Sequence, residues 1–364
     1  MKGKKKLPML LLVLFLIPIL ALTACTPGGN TTKTSVSGEK PYIAVISKGF
    51  QHQFWQVVKK GADAAAADFG VTITFEGPAS ESDIQDQVQM LDSALAKNPV
   101  AIALAALSTE SVTDQLNTAL SKKIPIIGFD SGVPNAPAGS VYANASTDNK
   151  AAGALAAEKV YEAVKANLSK GKAGAPVRLA VLSQDATSES VTSRTSGYID
   201  KMVELLKAGG ISSVAVVGHD KYKNNVDEKT VAVVIDVGVS ATTDATDIAT
   251  TASTLMGKNN VISIYGSNEA AANGILQASN EGADLKGKGI TAVGFDAGVR
   301  QKTAVKAGYF LGSITQDPYN IGYKAVELAY KAYKGEKVSN VDTGAKFYTK
   351  DNIDSADIKD LVYD

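Results

Sequence analysis

From Pro41 onward the chain alternates short, continuous apolar runs with longer amphipathic stretches, and this alternation leaves few folds open. Tyr42 to Ser47 (YIAVIS) is a strand-like run, and Phe54 to Phe69 carries apolar residues at helical spacing until Gly70 stops it. The unit repeats: strand Val71 to Phe75, helix Asp83 to Lys97, strand Val100 to Ala105, helix Glu110 to Lys122, strand Ile124 to Phe129. A strand that is apolar throughout must be covered on both faces. Strands alternating with helices therefore predict parallel sheets sandwiched between helical layers.

A second series follows. A helical segment, Asn149 to Leu168, leads to strand Val177 to Leu182 and a helix from Val191 to Lys207. Beyond Gly210 the alternation blurs into two β-rich runs separated by a polar turn over 211–240, which read as a hairpin-like excursion. Order resumes with helix 244–256, strand 261–265, helix 269–281, strand 290–295, helix 299–307, strand 310–314 and helix 318–333. Two α/β series predict two lobes. In open sheets of this kind ligands bind beyond the carboxyl ends of the strands.

The first segment reads as an address. Basic Met1 to Lys6 precedes an apolar run, Leu7 to Leu22, that is short of the roughly 20 residues a spanning helix needs and is interrupted by Pro8 and Pro18. Leu22-Thr23-Ala24-Cys25 looks like a bacterial lipobox, so 1–24 is expected to be a lipoprotein signal peptide, Cys25 the lipidation point and 25–40 a flexible tether rich in Gly, Ser and Thr. The expected location is the outer face of the cytoplasmic membrane, anchored by lipid without spanning it. Losing Lys2, Lys4, Lys5 and Lys6 leaves 33 basic against 37 acidic residues, a net charge of −4. That sign disfavours nucleic acid. One cysteine and two histidines, His52 and His219, exclude a disulfide framework and make a metal site improbable, and no cofactor is expected.

Residues just past the strands supply the candidate chemistry. Strand one ends in SKGFQHQFW, the fourth in Asp130-Ser131-Gly132, the run after 261 in Gly266-Ser267-Asn268-Glu269, that after 290 in Asp296-Ala297-Gly298, and the last in Thr315-Gln316-Asp317. Carboxylates, amides and aromatics recur there, a set suited to recognising hydroxyls rather than breaking bonds. The alternatives are structural. Asp130 and Asp296 could be helix N-caps, Phe54 and Trp55 core anchors, Asn268 and Gln316 loop supports, and Arg194 a solvated partner of Glu189 or Asp200.

Taken in order, IAVISKGFQHQFW, IPIIGFDSG, Arg194-Thr-Ser-Gly197-Tyr198, YGSNEAAANG, AVGFDAG and GSITQDPYNIGYKAVE resemble the ribose-type branch of bacterial periplasmic sugar-binding proteins. The resemblance runs from Pro41 to about Gly344. It implies a class I periplasmic binding fold, two Rossmann-like lobes joined by three crossovers, with lobe one at 41–146 plus 317–343 and lobe two at 147–316 plus 344–364. It further implies a sugar held between the lobes and passed to an ABC permease by a monomeric, non-enzymatic protein. The family's ligand contacts fall on His52, Phe54, Trp55, Asp130, Ser131, Arg194, Asn268, Asp296 and Gln316, with Thr242 added by register past the 218–240 insertion.

Departures bear on the ligand. His52-Gln53-Phe54-Trp55 stands where ribose binders resemble Asn-Pro-Phe-Phe, Ser131 replaces an arginine, and Glu269 replaces an aspartate. Lys48 and Phe75-Glu-Gly-Pro78 resemble relatives that bind a furanosyl signal, which leaves a signal receptor as the alternative and a secreted sugar-modifying enzyme as a weaker one. Enzyme motifs fail on context. Gly287-Lys-Gly289-Ile-Thr-Ala292 precedes its strand rather than following one, and Gly282 to Lys288 is followed by Gly289 where a phosphate loop needs Ser or Thr. Sugar-responsive repressors share the core but carry a helix-turn-helix where this chain has its address segment.

Overall fold

The computed structural model describes residues 40–50 and 52–363, which fall in one compact unit. The expected signal peptide, Cys25 and the tether to residue 39 lie outside the described residues. The chain opens with β1 (Tyr42–Ile46), α1 (Gln53–Phe69), β2 (Thr72–Glu76), α2 (Ile84–Ala96), β3 (Ala101–Leu104), α3 (Thr113–Lys122), β4 (Ile126–Phe129) and β5 (Val141–Ser146). It continues with α4 (Asn149–Val164), β6 (Val177–Ser183), α5 (Glu189–Ala208), β7 (Val214–Val217), β8 (Val233–Val239), α6 (Ala245–Met256), β9 (Val261–Gly266), α7 (Glu269–Gln277) and α8 (Ala283–Lys288). It closes with β10 (Thr291–Phe295), α9 (Val299–Lys306), β11 (Gly312–Gln316), α10 (Pro318–Tyr333), β12 (Val341–Asp342) and β13 (Ala345–Tyr348).

Two sheets result, ordered β12-β5-β4-β3-β1-β2 and β13-β11-β10-β9-β6-β8-β7. Every pairing is parallel except that of β11 with β13. The chain changes sheets three times: between β5 and α4, between β11 and α10, and between β12 and β13. These crossovers run side by side. Thr343 donates its backbone N–H to the carbonyl of Ser146, Asp148 donates its own to Asp342 Oδ1 at 2.9 Å, and Gln316 pairs with Ala345.

Continuous apolar strands such as AIAL and IIGF are buried throughout, as a sheet covered on both faces requires. In each lobe two helices cross at a pair of glycines. A Cβ on Gly61 or Gly322 would stand 1.9 Å from a carbonyl oxygen of the facing helix, α10 or α1, and one on Gly153 or Gly197 would stand 2.1 Å from one on α5 or α4. Only a residue without a side chain permits so close an approach.

Two expectations need correction. The stretch after Gly210 is not hairpin-like: β7 and β8 pair in parallel, because residues 218–232 loop back to the other end of the sheet before β8 begins. The helix expected over 269–281 ends at Gln277, and a separate short helix occupies Ala283–Lys288 after Gly282 at φ 93°. The strand β5 was not expected, since VYANAS has small residues in place of a continuous apolar run.

Candidate functional site

The carboxyl ends of the two sheets face each other, and their loops enclose a cavity of about 20 Å³ lined from both lobes. Asp130 ends β4 and Asp296 ends β10, each after Gly-Phe and each at positive φ, 53° and 72°. Aspartate tolerates this left-handed conformation better than most residues, though it remains strained, and strain of this kind gathers where side chains must be aimed. Neither aspartate caps a helix of its own. Asp296 Oδ2 accepts from the Glu269 backbone N–H at 3.1 Å, while Oδ1 accepts from Gln316 Nε2 at 2.7 Å. Asp130 faces Lys48 Nζ at 3.2 Å and Arg194 Nη2 at 3.9 Å.

Arg194 is the centre of the arrangement. It is 2% exposed, so it is not a solvated helix residue, and its ring-facing side lies over Phe295 with Cζ 3.9 Å from the centroid. Nε donates to Asn149 Oδ1 at 2.8 Å, and Nη2 donates to Gln316 Oε1 at 3.0 Å. Glu189 and Asp200, its possible surface partners, bond Ser193 and Lys150 instead.

The first lobe adds an aromatic wall and a charged pair. Phe54 and Trp55 open α1 edge to face, centroids 5.0 Å apart, and both are buried. Trp55 Nε1 donates to Glu81 Oε1 at 2.8 Å, and Gln184 of the second lobe donates to Glu81 Oε2 at 3.0 Å. Burial alone would raise the Glu81 carboxyl. Lys48, His52 and the two donors outweigh it and hold the group below its ordinary value. Lys48 is raised: burial opposes its charge, but Asp130, Glu81 and Asp185 more than compensate. The second lobe behaves differently. Burial pushes Glu269 up to about 7 and raises Asp296 despite Arg194 and Gln316.

A family model described as a periplasmic binding protein domain matches residues 43–337. The chain belongs to the periplasmic binding protein family. Among curated relatives, the D-allose-binding periplasmic protein of Escherichia coli is 28% identical over 332 residues, spanning 89% of this chain and 94% of that protein. A solved structure from Brachyspira murdochii, described as an ABC transporter, LacI family transcriptional regulator, is 41% identical with TM-score 0.75, covering 89% of this chain and 99% of that one. An ABC transporter solute binding protein from Agrobacterium vitis, solved with bound D-fucose, is 30% identical with TM-score 0.73, over 88% and 100% of the two chains. The two-lobed architecture with parallel sheets is the one these periplasmic binding proteins share.

Most of the residues expected from sequence converge on this interlobe cavity of the periplasmic binding protein. His52, Phe54, Trp55, Asp130, Arg194, Asn268, Asp296 and Gln316 all line it. Asn268 also serves structure: its Oδ1 caps α7 through the Ala271 N–H at 3.0 Å while its Nδ2 reaches Gln184. Ser131 lies behind the lining, buried, where its Oγ accepts from the Ser190 N–H of the other lobe at 3.3 Å. Thr242 is not brought there. It is exposed, bonded to Asp247 at 2.7 Å, and the buried residue at that corner is Thr243. Glu81 was missed altogether, although it follows the end of β2 in the kind of loop that gave the other residues. Lys48 and Glu269 had been singled out for ligand identity and prove to line the same cavity.

Proposed function

We propose that this chain is an extracytoplasmic, lipid-anchored solute-binding protein that captures a monosaccharide-like polyol between its lobes and delivers it to an ABC permease. One observation carries the reading. Asp130 from one lobe and Arg194, Asp296, Asn268 and Gln316 from the other present acceptors, a guanidinium fork and two amides to a single buried point beside an aromatic wall. Adjacent sugar hydroxyls need paired donors and acceptors of this sort, and the C–H face of the ring needs an aromatic surface. The E. coli and A. vitis relatives, named for or solved with D-allose and D-fucose, support the same ligand class.

The lobes are taken as 41–146 plus 317–343 and 147–316 plus 344–364, with the protein acting as a monomer. At about 20 Å³ the cavity falls well below the roughly 300–1,000 Å³ of ordinary ligand clefts, so a sugar enters only when the lobes part. Lys48 Nζ to Ser190 Oγ at 3.2 Å and Gln184 to Glu81 are bonds that opening breaks and closure restores. Binding then shifts the population toward the closed form, in which charge-assisted hydrogen bonds of about 1.5–3 kcal/mol each set specificity. The closed form is the one presented to the permease. An anchor at Cys25 fixes the protein at the outer face of the membrane, and no helix among the described residues is long and apolar enough to cross it.

A thermal-shift screen of pentoses and hexoses tests the reading. Ligand at 100-fold excess over Kd stabilises by about 2.7 kcal/mol. A shift that disappears in Asp130→Ala and Arg194→Ala is expected, with the sugar recovered unchanged. Turnover of the sugar, or a shift indifferent to both substitutions, sinks the proposal.

A further inference from the structure

On the far side of His52 lies a second cavity, about 210 Å³, that the proposed sugar site does not use. His52 lines both cavities, and α7 links them as well: Asn268 and Glu269 face the first, and Ala270 and Asn273 the second. Its lining combines aliphatic groups, Ala245, Ile248 and Ala270, with neutral amides, Asn273 and Gln277. The cation of the lining, Arg300, is already held by Glu281 through two contacts, at 3.2 and 2.6 Å. Among the described residues no carboxylate lines the cavity.

One buried polar atom belongs to this wall alone. Asn273 Oδ1 is shielded from solvent without a hydrogen-bond partner, whereas His52 Nε2 faces Glu81 of the first cavity at 3.7 Å. Leaving a buried acceptor or donor unmade is costly, so such atoms point to something that supplies the partner. A hydroxyl donates to an amide oxygen of this kind.

Resting on the sugar-binding reading, we infer that this cavity is a second subsite of the cleft, taking the neutral, hydroxylated substituent of a glycoside, the second ring of a disaccharide. The first ring sits among Asp130, Arg194 and Asp296, and the glycosidic oxygen passes His52. The aliphatic groups pack on the C–H face of the second ring, Asn273 and Gln277 meet its hydroxyls, and the absence of an unpaired cation selects against phosphorylated or acidic substituents. The departure of His52-Gln53 from the Asn-Pro of ribose binders falls at this passage.

The test is calorimetric titration of the full chain with D-allose, D-ribose, D-fucose, D-glucose and D-galactose, then with methyl glycosides and disaccharides of whichever sugars bind. At least one disaccharide is expected to bind tenfold or more tighter than its parent monosaccharide. Asn273→Ala is expected to erase that gain while leaving the monosaccharide Kd within about twofold, and Ala270→Leu, which fills the cavity, to do the same; the retained monosaccharide binding reports that each variant is folded. Monosaccharide binding with every disaccharide and glycoside weaker, or a disaccharide gain that survives both substitutions, overturns the subsite and leaves the sugar-binding reading standing. No binding of any carbohydrate overturns both.

Discussion

In the first lobe Gly128-Phe129-Asp130 ends β4 with Asp130 at φ 53°, and in the second Gly294-Phe295-Asp296 ends β10 with Asp296 at φ 72°. The two aspartates leave their sheets by the same backbone turn and meet different company. Asp130 stands between two cations, Lys48 and Arg194, in a lobe whose other buried carboxylate, Glu81, is held below its ordinary value. Asp296 is met by an amide, a backbone N–H and the buried Glu269, and burial pushes both acids upward, Asp296 against the pull of Arg194. The repeated turn sets where an oxygen is placed. What the oxygen does is decided by residues brought from other loops, so the acids of one half stand beside cations while burial raises those of the other.

The helix crossings offer the hardest test of the likeness between lobes. Gly322→Val places a Cβ 1.9 Å from the Val58 carbonyl and Gly153→Val one 2.1 Å from that of Arg194, so each forces backbone apart and is expected to cost about 3 kcal/mol or more in chemical denaturation. Gly153→Val should also weaken ligand binding, since it displaces Arg194, whereas Gly322→Val should spare it. Equal effects on affinity would erase that distinction.

Removing the shared guanidinium comes next. Arg194→Ala leaves Asp296 and Gln316 facing an empty space, and titration with a bound sugar should show a loss of about 2–5 kcal/mol. The pH dependence of stability separates the halves. Glu269 keeps its proton to about pH 7 when folded but only to about 4.5 when unfolded, so its contribution makes stability fall as pH rises from 4.5 to 7, by roughly 3 kcal/mol in all. Glu81 works the other way: its folded value lies below 4.5, and its contribution is present above that pH and lost as pH falls below it. Urea unfolding across a pH series should therefore show Glu269→Gln flattening the upper window and Glu81→Gln the acid limb. The smallest effect belongs to Thr242→Ala, which removes an exposed turn bond, costs about 0.5–1 kcal/mol of stability and leaves affinity unchanged.

Strands such as Ala101–Leu104 and Ile126–Phe129 were legible because burial on both faces writes a continuous apolar run, and α10 because its apolar spacing begins at a proline and ends in lysines. β5 lacked that signature. Asp130 and Asp296 were legible as residues at strand ends, while Glu81 was hidden because one carboxylate among the three of ESDIQDQ looks solvated; its role depends on Lys48 and Gln184, which lie in other loops. Thr242 went astray for a related reason. The 218–232 crossover follows no sheet or helix period, so the register beyond it could slip by the one residue that separates Thr242 from the buried Thr243.

The three crossovers carry a mechanical consequence. Ser146, Thr343 and Asp148, Asp342 are laced together, and Gln316 is paired with Ala345 beside them, so the links form a ribbon rather than three separate tethers. A ribbon bends across its width and resists both twisting and shear. For the proposed opening this predicts motion about a single hinge angle, which one pair of spectroscopic labels across the mouth would read.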